Sequence, residues 1–489
     1  PILIIGNAAD AEVFLRSIES GAIRQMRSVG ILSPSNADQN QALRGVPVLG
    51  RPDDIESVVK TLETAGTRVL RLVMTPSAME PSNHPDVVVL RARRLGIAIN
   101  RMQPLAGSGE TPQLAPIDVE DLLLRPTATI DYGRLEDFLR GKSVVVTGGG
   151  GSIGAEICDR AITFGVSRIL IIENSEPALH AALERLDAKG SKSIIEGRIA
   201  DVRDRERIFH LIGDYKPDLV FHAAALKHVP LLEKDWAEGV KTNIFGSVNV
   251  ADAAVKAQAA AMVMISTDKA IEPVSVLGAT KRFAEMYCQA LDADLATHRH
   301  GQRAPIRMVA VRFGNVLASN GSVVPKFKAQ IEAGGPVTVT HPDMVRYFMT
   351  IREACDLVVT AAGHALGRTA SDVAIYVLNM GQPVKIVDLA ERMIRLVGLE
   401  PRRDIDIVFT GIRPGERLNE ILFAREEPTF DIGVSGIVAA RPMQPSLETV
   451  QARLAKLRSA LQSGDRSAVY AVLADVAPPL KTSETSKSS

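Results

Sequence analysis

An apolar stretch, Ser143 to Val146, runs directly into the turn Thr147 to Gly154 (TGGGGSIG), and the pattern that follows through Ala155, Ile157 and Cys158 is helical. A glycine turn between a strand and a helix lets backbone N–H groups approach a pyrophosphate, while the helix N-terminus adds partial positive charge. This commits the chain to βαβ units around a parallel sheet and implies a bound dinucleotide. The turn supplies Gly148, Gly151, Ser152, Ile153 and Gly154 as candidate cofactor residues.

The spacing of Gly148, Gly151 and Gly154 is that of short-chain dehydrogenase-like folds. After the next strand-like run, Arg168 to Ile172, comes Glu173. An acid at that strand end can accept hydrogen bonds from ribose hydroxyls and would repel a 2′-phosphate, which favours NAD over NADP. Asn174 and Ser175 beside it, Asp201 and Val202 after a third strand, and Ala223, Ala224 and Ala225 after a fourth complete the expected cofactor site.

At 489 residues the chain suggests two domains and a tail. Lys and Arg number 57 against 57 Asp and Glu, and aromatics make up 4%, which argues against a nucleic-acid surface. The three cysteines, Cys158, Cys288 and Cys355, match no metal or redox spacing and read as core residues of a cytoplasmic protein. No metal site is expected. No apolar run approaches the roughly 20 residues that span a bilayer.

Residues 1–118 alternate short apolar runs with helix-like stretches and read as a smaller Rossmann-like α/β domain. Its first turn, Gly6 to Asp10, has a single glycine, so a second pyrophosphate site is not expected. A stretch containing Pro104, Gly107, Gly109, Pro112 and Pro116 breaks the pattern, and 119–140 reads as a linker with Leu122 to Tyr132 leading onward. A doubly wound parallel sheet is expected over 141–430, with strands at 143–146, 168–172, 193–199, 218–222, 261–266 and 307–312. Residues 431–489 read as an amphipathic helix, Ser446 to Leu461, and a disordered tail from Pro478.

Short-chain dehydrogenases use a Tyr four residues before a Lys to move the substrate's hydroxyl proton. Here Lys281 is present, but Leu277 stands at the Tyr position and cannot move a proton. That argues against a plain alcohol dehydrogenase or simple epimerase, and leaves open a fold that has lost its chemistry. Against such a loss stand Thr267, Asp268 and Lys269, directly after a buried-looking strand, where doubly wound sheets present their ligand-contacting groups.

With these motifs stand His222 to Pro230 (HAAALKHVP), Arg312 to Val316 (RFGNV), Gly321 to Pro325 (GSVVP), His341 to Phe348 (HPDMVRYF) and Arg413 to Glu416 (RPGE). Together they resemble the UDP-N-acetylglucosamine 4,6-dehydratases, and more closely their long polysaccharide-biosynthesis branch. The resemblance implies tightly bound, recycled NAD. The sugar is oxidised at C4, a base removes the C5 proton, an acid assists loss of water from C6, and the hydride returns to C6. It assigns Lys269 as the C5 base and Asp268 as the C6 acid, with Lys281 orienting the nicotinamide ribose. A lysine base must be neutral, and Lys281 and the nicotinamide ring are expected to lower the Lys269 pKa. The base for the C4 hydroxyl stays open among Thr267, Asp268 and a water relayed to Lys281.

For the UDP-sugar the resemblance implies Asn315, Ser322, Val323 and Glu416, with Arg346 and Arg413 as phosphate partners through their planar forks. Lys227 is expected to reach the sugar or its phosphate, and Asn243 to serve helix backbone. The resemblance implies a homo-oligomer, retention at C5, and transmembrane helices ahead of the first domain in long members. The chain starts at Pro1 within the strand-like run Ile2 to Ile5, which reads as the trimmed part of a longer protein at the cytoplasmic face of the bacterial inner membrane. A UDP-hexosamine 4-epimerase and a non-catalytic NAD-sensing scaffold are the alternatives.

Overall fold

The βαβ rhythm after residue 142 builds a nine-stranded sheet in the computed structural model, which describes residues 1–23, 26–103, 112–117, 121, 128–297, 306–317, 319, 321–367, 374–424 and 427–477. Its strands are β1 (Ser143–Thr147), β2 (Arg168–Glu173), β3 (Ile194–Ile199), β4 (Leu219–His222), β5 (Ala261–Ile265), β6 (Arg307–Arg312), β7 (Ile375–Leu378), β8 (Thr429–Asp431) and β9 (Ile437–Ala440). They lie in the order β3-β2-β1-β4-β5-β6-β7-β9-β8. The first seven are parallel, and β9 and β8 close the edge antiparallel. The order reverses between β1 and β4, the position where doubly wound sheets bind ligands.

Apolar side chains face both ways, as a sheet covered on both faces requires. Val144 and Val146 of β1 enter one core with helix α1 (Ser152–Thr163), while Val145 enters the other with helix α2 (Val276–Thr297). The expected C-terminal helix is Leu447–Ser463, capped by Ser446, and it buries Val450, Leu454 and Leu457 in the α2 core. A second helix, Arg466–Leu473, follows it. Expectations for Pro104, Gly107, Gly109, Leu122 and the segment from Pro478 fall outside the described residues.

By contact the chain divides into two units. One joins Pro1–Pro126 with Lys326–Asp343 and Val384–Thr410, and the other joins Thr127–Pro325 with Met344–Pro383 and Gly411–Ser489. The division is therefore not linear along the chain. Within the first unit, helix Ile386–Leu396 sits on helix Pro85–Arg94, where Arg395 pairs with Asp86 at 3.0 Å and Arg94 with Glu400 at 2.7 Å.

The first unit carries its own seven-stranded sheet, centred on the parallel strands Ser28–Leu32, Ile2–Ile5, Arg71–Met74 and Ala98–Met102. Helix Ala8–Glu19 starts after its first strand, but protein groups fill the helix N-terminus. Asp38 accepts from Ala8 N at 2.8 Å, Asn7 caps Asp10 N, and Ser77 Oγ accepts from Asn7 N.

No helix among the described residues is long and apolar enough to cross a membrane. Nor, among them, does any group of three or more His, Cys, Asp or Glu offer a metal site. All three cysteines are free and buried.

Candidate active site

Gly148 leaves β1 with φ +70°, and a Cβ there would lie 2.6 Å from the Ala224 backbone. The turn therefore presses against the chain leaving β4, an approach open only to glycine. A Cβ on Gly154 would meet Gly148 O at 2.1 Å, and one on Gly150 would meet Ala178 Cβ at 2.7 Å. Gly151 caps α1 with an extended backbone. Beside this turn opens a cavity of about 670 Å³, within the range of cofactor sites.

The cavity wall brings together Gly148, Gly151, Glu173, Asn174, Asp201, Val202, Ala223, Ala224, Ala225 and Lys227. Ser152, Ile153, Gly154, Ser175 and Lys281 are not on it. The sequence reading passed over Gly150, Ala178, Arg203, Leu226 and His228, which also line it. Gly150 and Leu226 adjoin predicted positions and were within reach; Ala178 and Arg203 carry no sequence signal of their own.

Glu173 is buried, and both carboxylate oxygens already have partners. Oε2 accepts from Gly150 N, and Oε1 accepts from Asn174 N and Ser175 N, all at 3.0 Å. A carboxylate offers about four lone-pair sites, so little capacity remains for a ribose. Asp201 accepts from Arg203, whose guanidinium holds its carboxyl below the usual range, and Arg203 also reaches Glu238. Burial pulls down the pKa of Lys227 and of His228.

Behind the cavity, fully buried His222 bridges Thr147 Oγ1 (2.7 Å) and Ser247 Oγ (2.9 Å), and Ser247 donates onward to Asn243 O. Burial, reinforced by the charge of Lys281, pushes the His222 pKa down to about 3. The folded state thus refuses a proton that the unfolded chain binds near pH 6.5. Stability is complete above that pH and falls as pH drops toward 3, at up to about 1.4 kcal/mol per pH unit. Denaturant unfolding between pH 7 and 4 should give this slope for the parent chain, and a flatter one for His222→Asn whatever its starting stability.

Asn243 lies in a wide helical turn, Val240–Gly246, a form common at functional sites. Expected to serve helix backbone, its amide instead clamps the loop after β4. Oδ1 accepts from Leu226 N at 2.9 Å, and Nδ2 donates to Leu226 O at 3.0 Å and to Thr280 Oγ1 at 3.1 Å.

The second cluster hangs from the end of β5. Ser266 Oγ donates to Glu285 of α2 at 2.6 Å, and Arg312 of β6 grips the same carboxylate through Nε (2.8 Å) and Nη2 (2.7 Å). This buried pairing fixes the strand end from which the short turn Asp268–Ala270 starts. Thr267 caps the turn and donates to Asp268 Oδ1 at 2.9 Å. Lys269 Nζ donates to the same oxygen at 3.0 Å, reaches Asn315 Oδ1 at 3.4 Å, and lies 3.3 Å from Glu420 Oε1. Asp268 Oδ2 is buried without a hydrogen-bond partner among the described residues, facing Gly314.

The expected lowering of the Lys269 pKa is not observed. Burial does favour the neutral amine, but the carboxylates of Asp268 and Glu420 outweigh it and raise the pKa. The depressed lysine is Lys281, brought down to about 8 by burial, and its Nζ is spent on Ile265 O at 2.6 Å. Leu277 packs in the α2 core, where its side chain offers only bulk.

Among the expected substrate residues, Asn315 joins the Lys269 cluster. Arg346 is buried, and its guanidinium donates to Leu418 O (3.0 Å) and Arg417 O (2.8 Å), so most of its fork holds main chain. Arg413 is exposed and Glu416 half-buried in one tight turn, with Glu416 N donating to Arg413 O. Ser322 Oγ is buried without a partner among the described residues, one residue before helix Val323–Glu332. Gly321 beside it abuts cavity-lining His228, which brings this segment to the cavity.

Residues 144–442 match the family model described as polysaccharide biosynthesis protein. The chain belongs to that family. It is 40% identical over 430 residues to EpsC of Bacillus subtilis (strain 168), described as a probable polysaccharide biosynthesis protein, covering 87% of this chain and 68% of EpsC. It is 39% identical over 427 residues to the capsular polysaccharide biosynthesis protein CapD of Staphylococcus aureus, covering 87% and 69%. A solved structure of Pen from Bacillus thuringiensis superposes with a TM-score of 0.55 at 30% identity, covering 63% of this chain and 90% of that one. The matched span holds the glycine turn, the Asp268–Lys269 pair and the Arg413–Glu416 turn, so the family assignment covers every part of the site.

Proposed function

We propose that this family member dehydrates UDP-N-acetylglucosamine at C4–C6, using bound NAD, to a UDP-4-keto-6-deoxy-N-acetylhexosamine for surface polysaccharide. The reading rests above all on Asp268 and Lys269, an acid and an amine 3.0 Å apart, with one buried carboxyl oxygen that has no partner among the described residues. NAD fits the cradle where added Cβ atoms would clash, and when bound it supplies reversible hydride transfer at the sugar. Gly148 to Gly154 would hold its pyrophosphate, Asp201 and Val202 its adenine side, and Glu173 a ribose hydroxyl through its remaining lone pair.

The protein's own groups handle the protons. Shifting one proton from Lys269 Nζ to Asp268 along their hydrogen bond gives a neutral amine and a neutral carboxylic acid with no change in net charge. Lys269 then takes the C5 proton and Asp268 protonates the departing C6 hydroxyl. A 4-epimerase would use neither step and would need a hydroxyl-bearing side chain where Leu277 stands. Lys227 on the cavity wall and the Gly321–Val323 segment beside His228 are the proposed diphosphate and sugar contacts, with Arg413 and Glu416 closing over the nucleotide. Retention at C5 follows from the resemblance to the branch with an apolar residue at the Leu277 position.

Incubation with UDP-N-acetylglucosamine, followed by mass spectrometry, tests the reading: a product lighter by one water supports it. An isomer of unchanged mass would replace it with epimerisation, and unchanged substrate with bound NAD would favour the scaffold. Proton coupling constants of the product report C5. Leu277→Met should leave turnover nearly unchanged, because swaps of similar volume usually cost under about 1.5 kcal/mol; a large loss would mean that Leu277 does more than pack.

A further inference from the structure

Lys269 is held by a residue far along the chain that the sequence does not single out. Glu420 Oε1 lies 3.3 Å from Lys269 Nζ and 3.6 Å from Arg346 Nε, so one buried carboxylate oxygen is shared by two cations. Arg346 in turn donates to Arg417 O and Leu418 O, fixing the stretch that carries Glu420. With Asp268 the four groups alternate in sign, negative, positive, negative, positive, and sum to zero. A carboxylate this far removed from water is retained at a cost unless its partners need it.

We propose that Glu420, steadied by Arg346, is a positioning residue that fixes the Lys269 amine beside Asp268 and Asn315 and governs its charge. The groups facing the amine are Asp268 and Thr267 from its own turn, Asn315 from the segment after β6, Glu420, and Arg346 behind it. Of these, the two carboxylates favour the charged amine and Arg346 opposes it, in keeping with the raised Lys269 pKa. Glu420 thus keeps the amine charged at rest, and Arg346 limits how strongly it does so.

The catalytic consequence rests on the dehydratase reading, whereas the control of charge does not. The experiment therefore reads the amine directly. The Lys269 side chain is 21% exposed, and acetic anhydride serves as the probe of its amine. Its labelling is followed against pH by peptide mass spectrometry in the intact protein. Glu420→Gln should lower the labelling midpoint by roughly one pH unit or more, the usual effect of losing an opposite charge at this distance. Arg346→Gln should raise it. Glu420→Asp, which keeps the charge on a shorter arm, should leave the midpoint near the parent value but lower kcat with little change in KM.

In active protein, the alkaline limb of kcat should move with the labelling midpoint, because loss of the shared proton to solvent leaves Asp268 with none to donate. An unmoved midpoint in folded Glu420→Gln overturns the proposal. Should that variant fail to fold, an unmoved midpoint in Arg346→Gln does so instead. Shifted midpoints in a protein that releases no water from UDP-N-acetylglucosamine would overturn the dehydratase reading and leave the role of Glu420 standing.

Discussion

Asp268→Asn and Lys269→Met should each slow dehydration of UDP-N-acetylglucosamine by roughly 10²–10⁴-fold, the usual cost of losing a positioned acid or base. Neither side chain lines the cavity beside the glycine turn, so both proteins should still copurify with NAD. The two losses should differ in kind. Asn has nearly the shape of Asp and keeps an acceptor toward Thr267 and Lys269, but it has no proton to give the leaving hydroxyl. Met keeps the unbranched stem of Lys269 out to Cε without its amine, so Lys269→Met should also fail to exchange the C5 hydrogen with deuterated solvent. Asp268→Asn should retain some exchange, because loss of the carboxylate also lowers the Lys269 pKa and leaves a fraction of the amine neutral. Normal exchange in Lys269→Met would move the base to another group, and full turnover in Asp268→Asn would remove the acid role.

Gly154→Ala should abolish NAD copurification. The added Cβ falls 2.1 Å from Gly148 O, a main-chain atom that cannot swing aside, so the first turn of α1 must part from the glycine loop. Overpacking of this kind commonly costs about 1–3 kcal/mol, and here the displaced atoms are those that would face a pyrophosphate. Gly213→Ala, in helix Arg205–Tyr215 with open space around the new methyl, is the matched control. It should bind NAD normally and gain up to about 1 kcal/mol in stability from helix propensity. Equal cofactor content in the two variants would mean that the close packing of Gly154 is not required for binding.

The parts of this molecule written in neighbouring residues were legible in advance. β1, β2 and β6 begin where their apolar runs begin, and the cavity gathers the glycines, Glu173, Asp201 and the alanines after β4 because strand ends in a doubly wound sheet converge. What depends on distant contacts was not. Glu420 and Arg203 carry no local signal, and Arg346 looks like any phosphate-binding arginine until its bonds to Arg417 and Leu418 are seen. The charge of Lys269 was misjudged for the same reason. Sequence shows Lys281 nearby but gives no ranking of burial against the carboxylates of Asp268 and Glu420, and the carboxylates win.

The first unit keeps the strand-turn-helix outline of a coenzyme fold, yet the carboxylate of Asp38 already sits against the start of its helix. An incoming phosphate there would have to displace an anion that the fold itself holds against the helix start. The helix start is closed by an internal bond, and swings in cellular dinucleotide supply find no purchase there.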